Sequence, residues 1–162
     1  MKTATLKVTT PSDREAVITR VVDAPRGMVF DAHTKPELVR RWLLGPPGWT
    51  MPVCEIDLRV GGKYRYVWRK SDGQEMGMGG AFTEIMRPAR IVATQLFDQD
   101  WTGGETIVST EIVEKNGKST ITTTVRYATR EARDAALQTG MTTGMEAGYE
   151  RLEDLLKEMA HA

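Results

Sequence analysis

The side chains that this sequence arranges in a pattern are aromatic rings and thioethers, the chemistry of a wall for small apolar molecules. Tyr64, Tyr66 and Trp68 alternate with Lys63, Arg65 and Arg69, so an extended chain puts the rings on one face and the cations on the other. Trp42, Phe82, Phe97 and Trp101 add rings elsewhere, and Met141, Gly144, Met145 and Tyr149 share a helical stripe. Pockets for small molecules combine mostly apolar walls with a few polar groups, and tyrosine and tryptophan supply both in one side chain. The candidate ligand-binding set is therefore Trp42, Tyr64, Tyr66, Trp68, Phe82, Phe97, Trp101, Met141, Gly144, Met145 and Tyr149. A filled core would use many of the same residue types, and the nine methionines suit adaptable packing as well as a binding wall.

Other chemistries find less support. The histidines are His33 and His161, far from the single Cys54, so no metal-ligand cluster or thiol–base pair is visible, and no metal or cofactor is expected. His33 reads as a surface or capping residue and Cys54 as a buried thiol in a strand. Gly77, Gly79 and Gly80 lack the following helix and lysine of a phosphate loop and read as bulges in a strand, which would swap inward and outward residues. Asp98, Asp100 and Glu105 flank Trp101, while Glu55, Asp57 and Glu84 fall in strands; a catalytic pair would require some of them to converge. No catalytic constellation is assigned.

The positioning elements follow from periodicity. Val17, Ile18, Val21 and Val22 form a β-branched strand that Asp23-Ala24-Pro25 ends, and two short helices follow, around Met28 to Ala32 and behind Lys35-Pro36-Glu37. Gly45-Pro46-Pro47-Gly48 stops regular structure. Strands are expected over Met51 to Leu58, Lys63 to Lys70, Glu75 to Met86, Arg90 to Asp98, Glu105 to Lys115 and Ser119 to Ala128, the last two joined by the hairpin signal Asn116-Gly117. With the first, that makes seven. Leu137, Met141, Met145, Gly148, Leu152, Leu155, Leu156 and Met159 recur at three- and four-residue steps, predicting one long helix from Arg130 to Met159. Gly140, Gly144 and Gly148 lie along it, and each costs about 1 kcal/mol against alanine in a helix interior, so close backbone approach or open volume should offset them.

A chain of 162 residues suits one domain, expected over 16–160 behind an N-terminal arm of 1–15. Lysine plus arginine and aspartate plus glutamate each total 22, so no net field favours nucleic acid or an acidic membrane. No apolar run reaches the ~20 residues of a membrane span, the start lacks a signal-peptide centre, and a lone cysteine suits a reducing cytoplasm. An exposed edge strand and the polar arm could support a homodimer.

The order strand, two short helices, antiparallel sheet and long C-terminal helix resembles the helix-grip fold of the START-like, or SRPBCC, superfamily, which includes the birch-pollen-allergen proteins. Asp23-Ala24-Pro25, Val29-Phe30, Trp42 with Gly45-Pro46, Gly61-Gly62-Lys63-Tyr64, the run from Gly80 to Pro88, and Thr143-Gly144-Met145-Glu146-Ala147-Gly148-Tyr149 are similar to the branch named after the activator of the heat-shock-protein-ninety ATPase. The likeness spans Ala16 to about Leu156. It implies an α+β domain, a curved seven-stranded antiparallel sheet with the long helix packed across it, and a hydrophobic cavity between them. Binding of a small hydrophobic or aromatic molecule is the implied function, the cavity opening toward the loops Gly45 to Trp49 and Trp101 to Gly104. The alternatives are a co-chaperone-like interaction domain with a chaperone partner, or a cyclase-, hydrolase- or stress-response-type enzyme using the same cavity.

Overall fold

The computed structural model describes residues 6–99 and 101–161. Its strands are β1 (Lys7–Thr9), β2 (Glu15–Val22), β3 (Trp49–Ile56), β4 (Lys63–Lys70), β5 (Glu75–Met86), β6 (Arg90–Phe97), β7 (Thr106–Lys115) and β8 (Lys118–Arg126). The helices are α1 (Arg26–Thr34), α2 (Pro36–Trp42), α3 (Arg130–Leu137) and α4 (Met141–Ala160). All strands join one open antiparallel sheet in the order β1-β2-β8-β7-β6-β5-β4-β3.

Eight strands stand where seven were expected. The additional one is β1, whose Lys7, Val8 and Thr9 pair with Thr19, Ile18 and Val17. Three residues carry too short an alternation to announce a strand; pairing along a long, regular neighbour makes them one.

Alternation assigns the faces. Ala16, Ile18, Arg20 and Val22 of β2 and Ser119, Ile121, Thr123 and Val125 of β8 are buried on the inner face, where α4 lies. Leu152, Leu155 and Leu156 of α4 are at most 2% exposed, each side chain contributing about 1.5–3 kcal/mol by leaving water. Arg20, also 2% exposed, donates to Glu153 Oε1 of α4 at 3.1 Å and to the Val21 carbonyl, an ion pair between sheet and helix. Pro25 and Pro36 open α1 and α2, where a missing N–H costs nothing. Ser119 Oγ donates to the Ala24 carbonyl at 2.7 Å and fixes the turn from β2 into α1.

The single helix expected from Arg130 to Met159 is two. Thr129 caps α3 by accepting from the Ala132 amide at 3.0 Å, and the chain breaks before α4 at Gly140, whose φ is +83°. Gly140 is therefore not a helix-interior glycine. Gly144 and Gly148 are, and both serve close approach. A Cβ at 144 would stand 3.3 Å from Pro46 Cδ, and one at 148 would stand 3.2 Å from the Trp42 carbonyl. The glycines let the end of α2 and the loop behind it press against α4.

Candidate functional site

The expected face of β4 is correct, and Tyr64 shows why the opposing strand carries glycine. Tyr64 pairs with Gly80 on β5, yet its hydroxyl donates to the Thr94 carbonyl on β6 at 2.6 Å. Strands lie about 4.8 Å apart, so the phenol must recline across Gly80 to reach two strands away. A Cβ on Gly80 would collide with that carbonyl. The Ala81 amide turns instead to Thr94 Oγ1 at 3.0 Å.

The glycines of β5 are not bulges against β4, which pairs without a break from Lys63↔Ala81 to Arg69↔Glu75. The register shift in β5 falls against β6, between Phe82 and Glu84. On the outer face, Gly77 and Gly79 make room for the Arg65 side chain, whose guanidinium grips Asp98 through two hydrogen bonds, 2.8 and 2.6 Å. Arg65 in turn holds the exposed Asp98 carboxyl below the usual carboxylate range.

Six of the candidate rings form one continuous series. Centroids run Phe82–Tyr64 5.4 Å, Tyr64–Tyr66 5.2 Å, Tyr66–Trp68 5.8 Å, Trp68–Phe97 6.3 Å and Phe97–Trp101 4.8 Å. Tyr64, Tyr66, Phe82 and Phe97 are buried, while Trp68 and Trp101 are half-buried at the end of the series. Trp68 Nε1 donates to the Leu43 carbonyl at 2.7 Å, tying the ring series to the loop after α2.

Trp42 and Tyr149 belong to a separate stack. Their rings lie 5.7 Å apart, His33 meets Trp42 edge-on at 4.9 Å, and Trp42 Nε1 donates to the Ala32 carbonyl at 2.9 Å. This stack binds α1, α2 and α4 together. His33 is held inside it, its Nδ1 2.8 Å from the Val29 carbonyl, and burial lowers its pKa. It is half-buried under Trp42 rather than on the surface, while its bond to a carbonyl of its own helix, made from the last turn of α1, fits the capping role expected.

Met141 and Met145 are half-buried on α4, and Gly144 between them is buried against Gly45 and Pro46. Tyr127, outside the candidate set, donates to Met141 Sδ at 3.6 Å, and burial pushes its phenol up to about 12. The alternation Ile121, Thr123, Val125 continues to 127 and is the signal that could have found it. Arginine and carboxylate pairs take Glu84 with Arg90 and Asp57 with Arg59. Glu55, Glu105 and Asp98 border a groove of about 570 Å³ together with Lys63, Arg65 and Leu96. Of the ring series only Tyr64 borders this groove, where Glu105 adds to the burial that raises its phenol above the usual range; Asp100 lies outside the described residues. Cys54 is buried, with its thiol pushed up to about 11 chiefly by burial. Among the described residues, no group of three or more His, Cys, Asp or Glu could hold a metal ion, and no helix is long and apolar enough to cross a membrane.

One departure from a filled interior stands out. Gln95, Val108 and Thr110 share the inner face with the buried Ala93, Val125 and Thr123, being paired or alternating with them. They sit in the middle strands, where a two-layer domain covers its sheet most completely. Yet all three are only half-buried, Val108 packing against the edge of the core, while Ile18 and Ile121 nearer the sheet edge are at 0%.

The family model for activator of Hsp90 ATPase homolog 1-like proteins matches residues 23–157. Among solved structures, a protein of Rhodobacter sphaeroides is 31% identical, with a TM-score of 0.90 over 95% of this chain and 99% of that one. A protein of Nitrosomonas europaea, 22% identical, superposes with a TM-score of 0.83 over 94% of this chain and 100% of that one. An AHSA1-like protein of Aeromonas hydrophila, 20% identical, gives 0.63 over 83% and 92%. Among curated proteins, none matches.

Proposed function

Because this chain belongs to the family of activator of Hsp90 ATPase homolog 1-like proteins, in a superfamily that commonly binds hydrophobic ligands, we propose that it takes up a small apolar or aromatic molecule between the inner sheet face and α4. The observation that carries this reading is the incomplete burial of Gln95, Val108 and Thr110 at the centre of the inner face. In this reading their residual exposure marks the room under α4, and the series from Phe82 to Trp101 forms its aromatic side. Met141 and Met145, half-buried on α4, supply a deformable roof. The loops Gly45 to Trp49 and Trp101 to Gly104 frame the mouth. The lone buried thiol suits a cytoplasmic setting.

Native mass spectrometry of gently purified protein tests the reading directly. A co-purifying small molecule, lost on mild activation, is expected. Saturable quenching of tryptophan emission by naphthalene-sized aromatics is the second readout. Failure of every such aromatic to bind, with no co-purifying mass, overturns the proposal.

A second reading places function on the outer face, where the groove bordered by Glu55, Lys63, Arg65, Leu96, Asp98 and Glu105 mixes both signs of charge with an exposed leucine. That composition suits a protein partner such as the ninety-kilodalton chaperone. Stimulated chaperone ATP hydrolysis, abolished by Lys63→Glu, would put this reading first. The outward edges of β1 and β3 would serve a homodimer, which sedimentation would reveal.

A further inference from the structure

Tyr66 is 8% exposed, its ring set between Tyr64 and Trp68, and among the described residues its hydroxyl makes no hydrogen bond, Cys54 and Tyr64 acting on it through charge alone. The neighbouring polar edges are all taken: Tyr64 by the Thr94 carbonyl, Trp68 by the Leu43 carbonyl, Trp42 by the Ala32 carbonyl and Tyr127 by Met141 Sδ. Nor is the Tyr66 oxygen sealed in apolar contact. Among the described residues, the buried side-chain nitrogens and oxygens shut off from solvent with no partner are Arg20 Nε and Trp101 Nε1. A phenol on the inner face that is neither bonded nor sealed opens on the hollow.

One accessible donor thus stands without an acceptor along the aromatic wall. The Trp101 indole N–H also lacks an acceptor, but it is shut off from solvent and stands three ring contacts away, out of reach of the same ligand atom. Burial raises the Tyr66 phenol well above its usual range, so at neutral pH it keeps its proton and can donate. An acceptor brought to this hydroxyl replaces its bond to water with one shielded by the surrounding rings. Charge recognition has no comparable support here. Arg20, the guanidinium buried on this face, is taken by Glu153, and Arg65 is bound to Asp98 on the opposite face.

We infer that the molecule accommodated under α4 is a neutral, planar aromatic carrying a hydrogen-bond acceptor, a carbonyl or ether oxygen, which seats on the Tyr66 hydroxyl. The inference deepens the binding reading given above and rests on it.

Matched pairs of probes separate the two. Calorimetric titration with 1-indanone against indane, and 9-fluorenone against fluorene, holds shape nearly constant and varies only the acceptor. The ketone of at least one pair should bind about tenfold tighter than its hydrocarbon, the worth of one buried hydrogen bond. Tyr66→Phe should bring the ketone down to the hydrocarbon's affinity and leave the hydrocarbon unchanged. Since the hydroxyl has no partner in the free protein, this variant should keep the wild-type melting temperature. Equal binding of ketone and hydrocarbon, or a ketone affinity indifferent to Tyr66→Phe, overturns this inference and leaves the hollow standing. Binding of neither member of either pair overturns both.

Discussion

Tyr64 and Thr94 are hydrogen-bonded across an intervening strand: the phenol on β4 donates to the carbonyl on β6 at 2.6 Å, over the bare Gly80 of β5. The bond fixes a flat ring on the inner face and diverts the Thr94 carbonyl from the regular ladder. Ring, glycine and carbonyl form one unit, because each conformation requires the other two.

Removing either part of that unit should be felt in stability. Tyr64→Phe leaves the part-buried Thr94 carbonyl without its donor and should cost about 1–3 kcal/mol in urea unfolding. Gly80→Ala places a methyl against that carbonyl and should cost at least as much. The double variant should fall short of the sum of the single ones, since both break the same arrangement. Full additivity would show that the two residues act separately.

The ion pair between Arg20 and Glu153 predicts an asymmetry. Glu153→Gln leaves the buried guanidinium without its counter-charge and should destabilise by about 3 kcal/mol, the lower end for a broken buried pair because Glu153 is part exposed. Arg20→Met with Glu153→Leu should recover most of the loss. A double variant weaker than Glu153→Gln alone would show that the pair is favourable beyond mutual compensation.

Gly140 separates α3 from α4 with a φ of +83°, and a Cβ at this position would meet nothing within 4 Å. Gly140→Ala therefore meets no clash, and its cost is the left-handed backbone alone, about 1–2 kcal/mol. A melting temperature lower by about 2–8 °C is expected from calorimetry. No change would mean that the break between the helices shifts at no cost.

His33 predicts a pH dependence. Burial lowers its folded-state pKa below the ordinary 6.5, so the unfolded chain binds the proton more readily. Stability from this residue is complete above about pH 6.5 and declines as pH falls below it, by at most about 1.4 kcal/mol per pH unit while only the unfolded state is protonated. His33→Gln should flatten the urea midpoint between pH 6.5 and 5. An equally steep midpoint in the variant would assign the dependence elsewhere.

The sequence makes some of this legible and hides the rest for identifiable reasons. Alternation gave the face of Tyr64, Tyr66 and Trp68, because a pleated strand must separate neighbours. It could not tell that Trp42 and Tyr149 stack apart from the other rings, since periodicity specifies a face and not a position along it. The glycines of β5 looked like irregularities in their own strand, whereas they accommodate side chains of the strands beside them: Arg65 outside, Tyr64 inside. Gly140 disappeared into a helical stripe whose spacing continues across the break. β1 exists by virtue of its partner. The contribution of Arg20 was invisible because a lone arginine among valines gives no sign of the glutamate 133 positions later that receives it.

The Ala81 amide hangs on the Thr94 hydroxyl, a rotor that can turn away, and not on a neighbouring strand's main chain. At that point the sheet has a crease. Deuterium should enter there sooner than at the amides on either side, and a guest pressing on the reclining phenol would bend the wall along that line first.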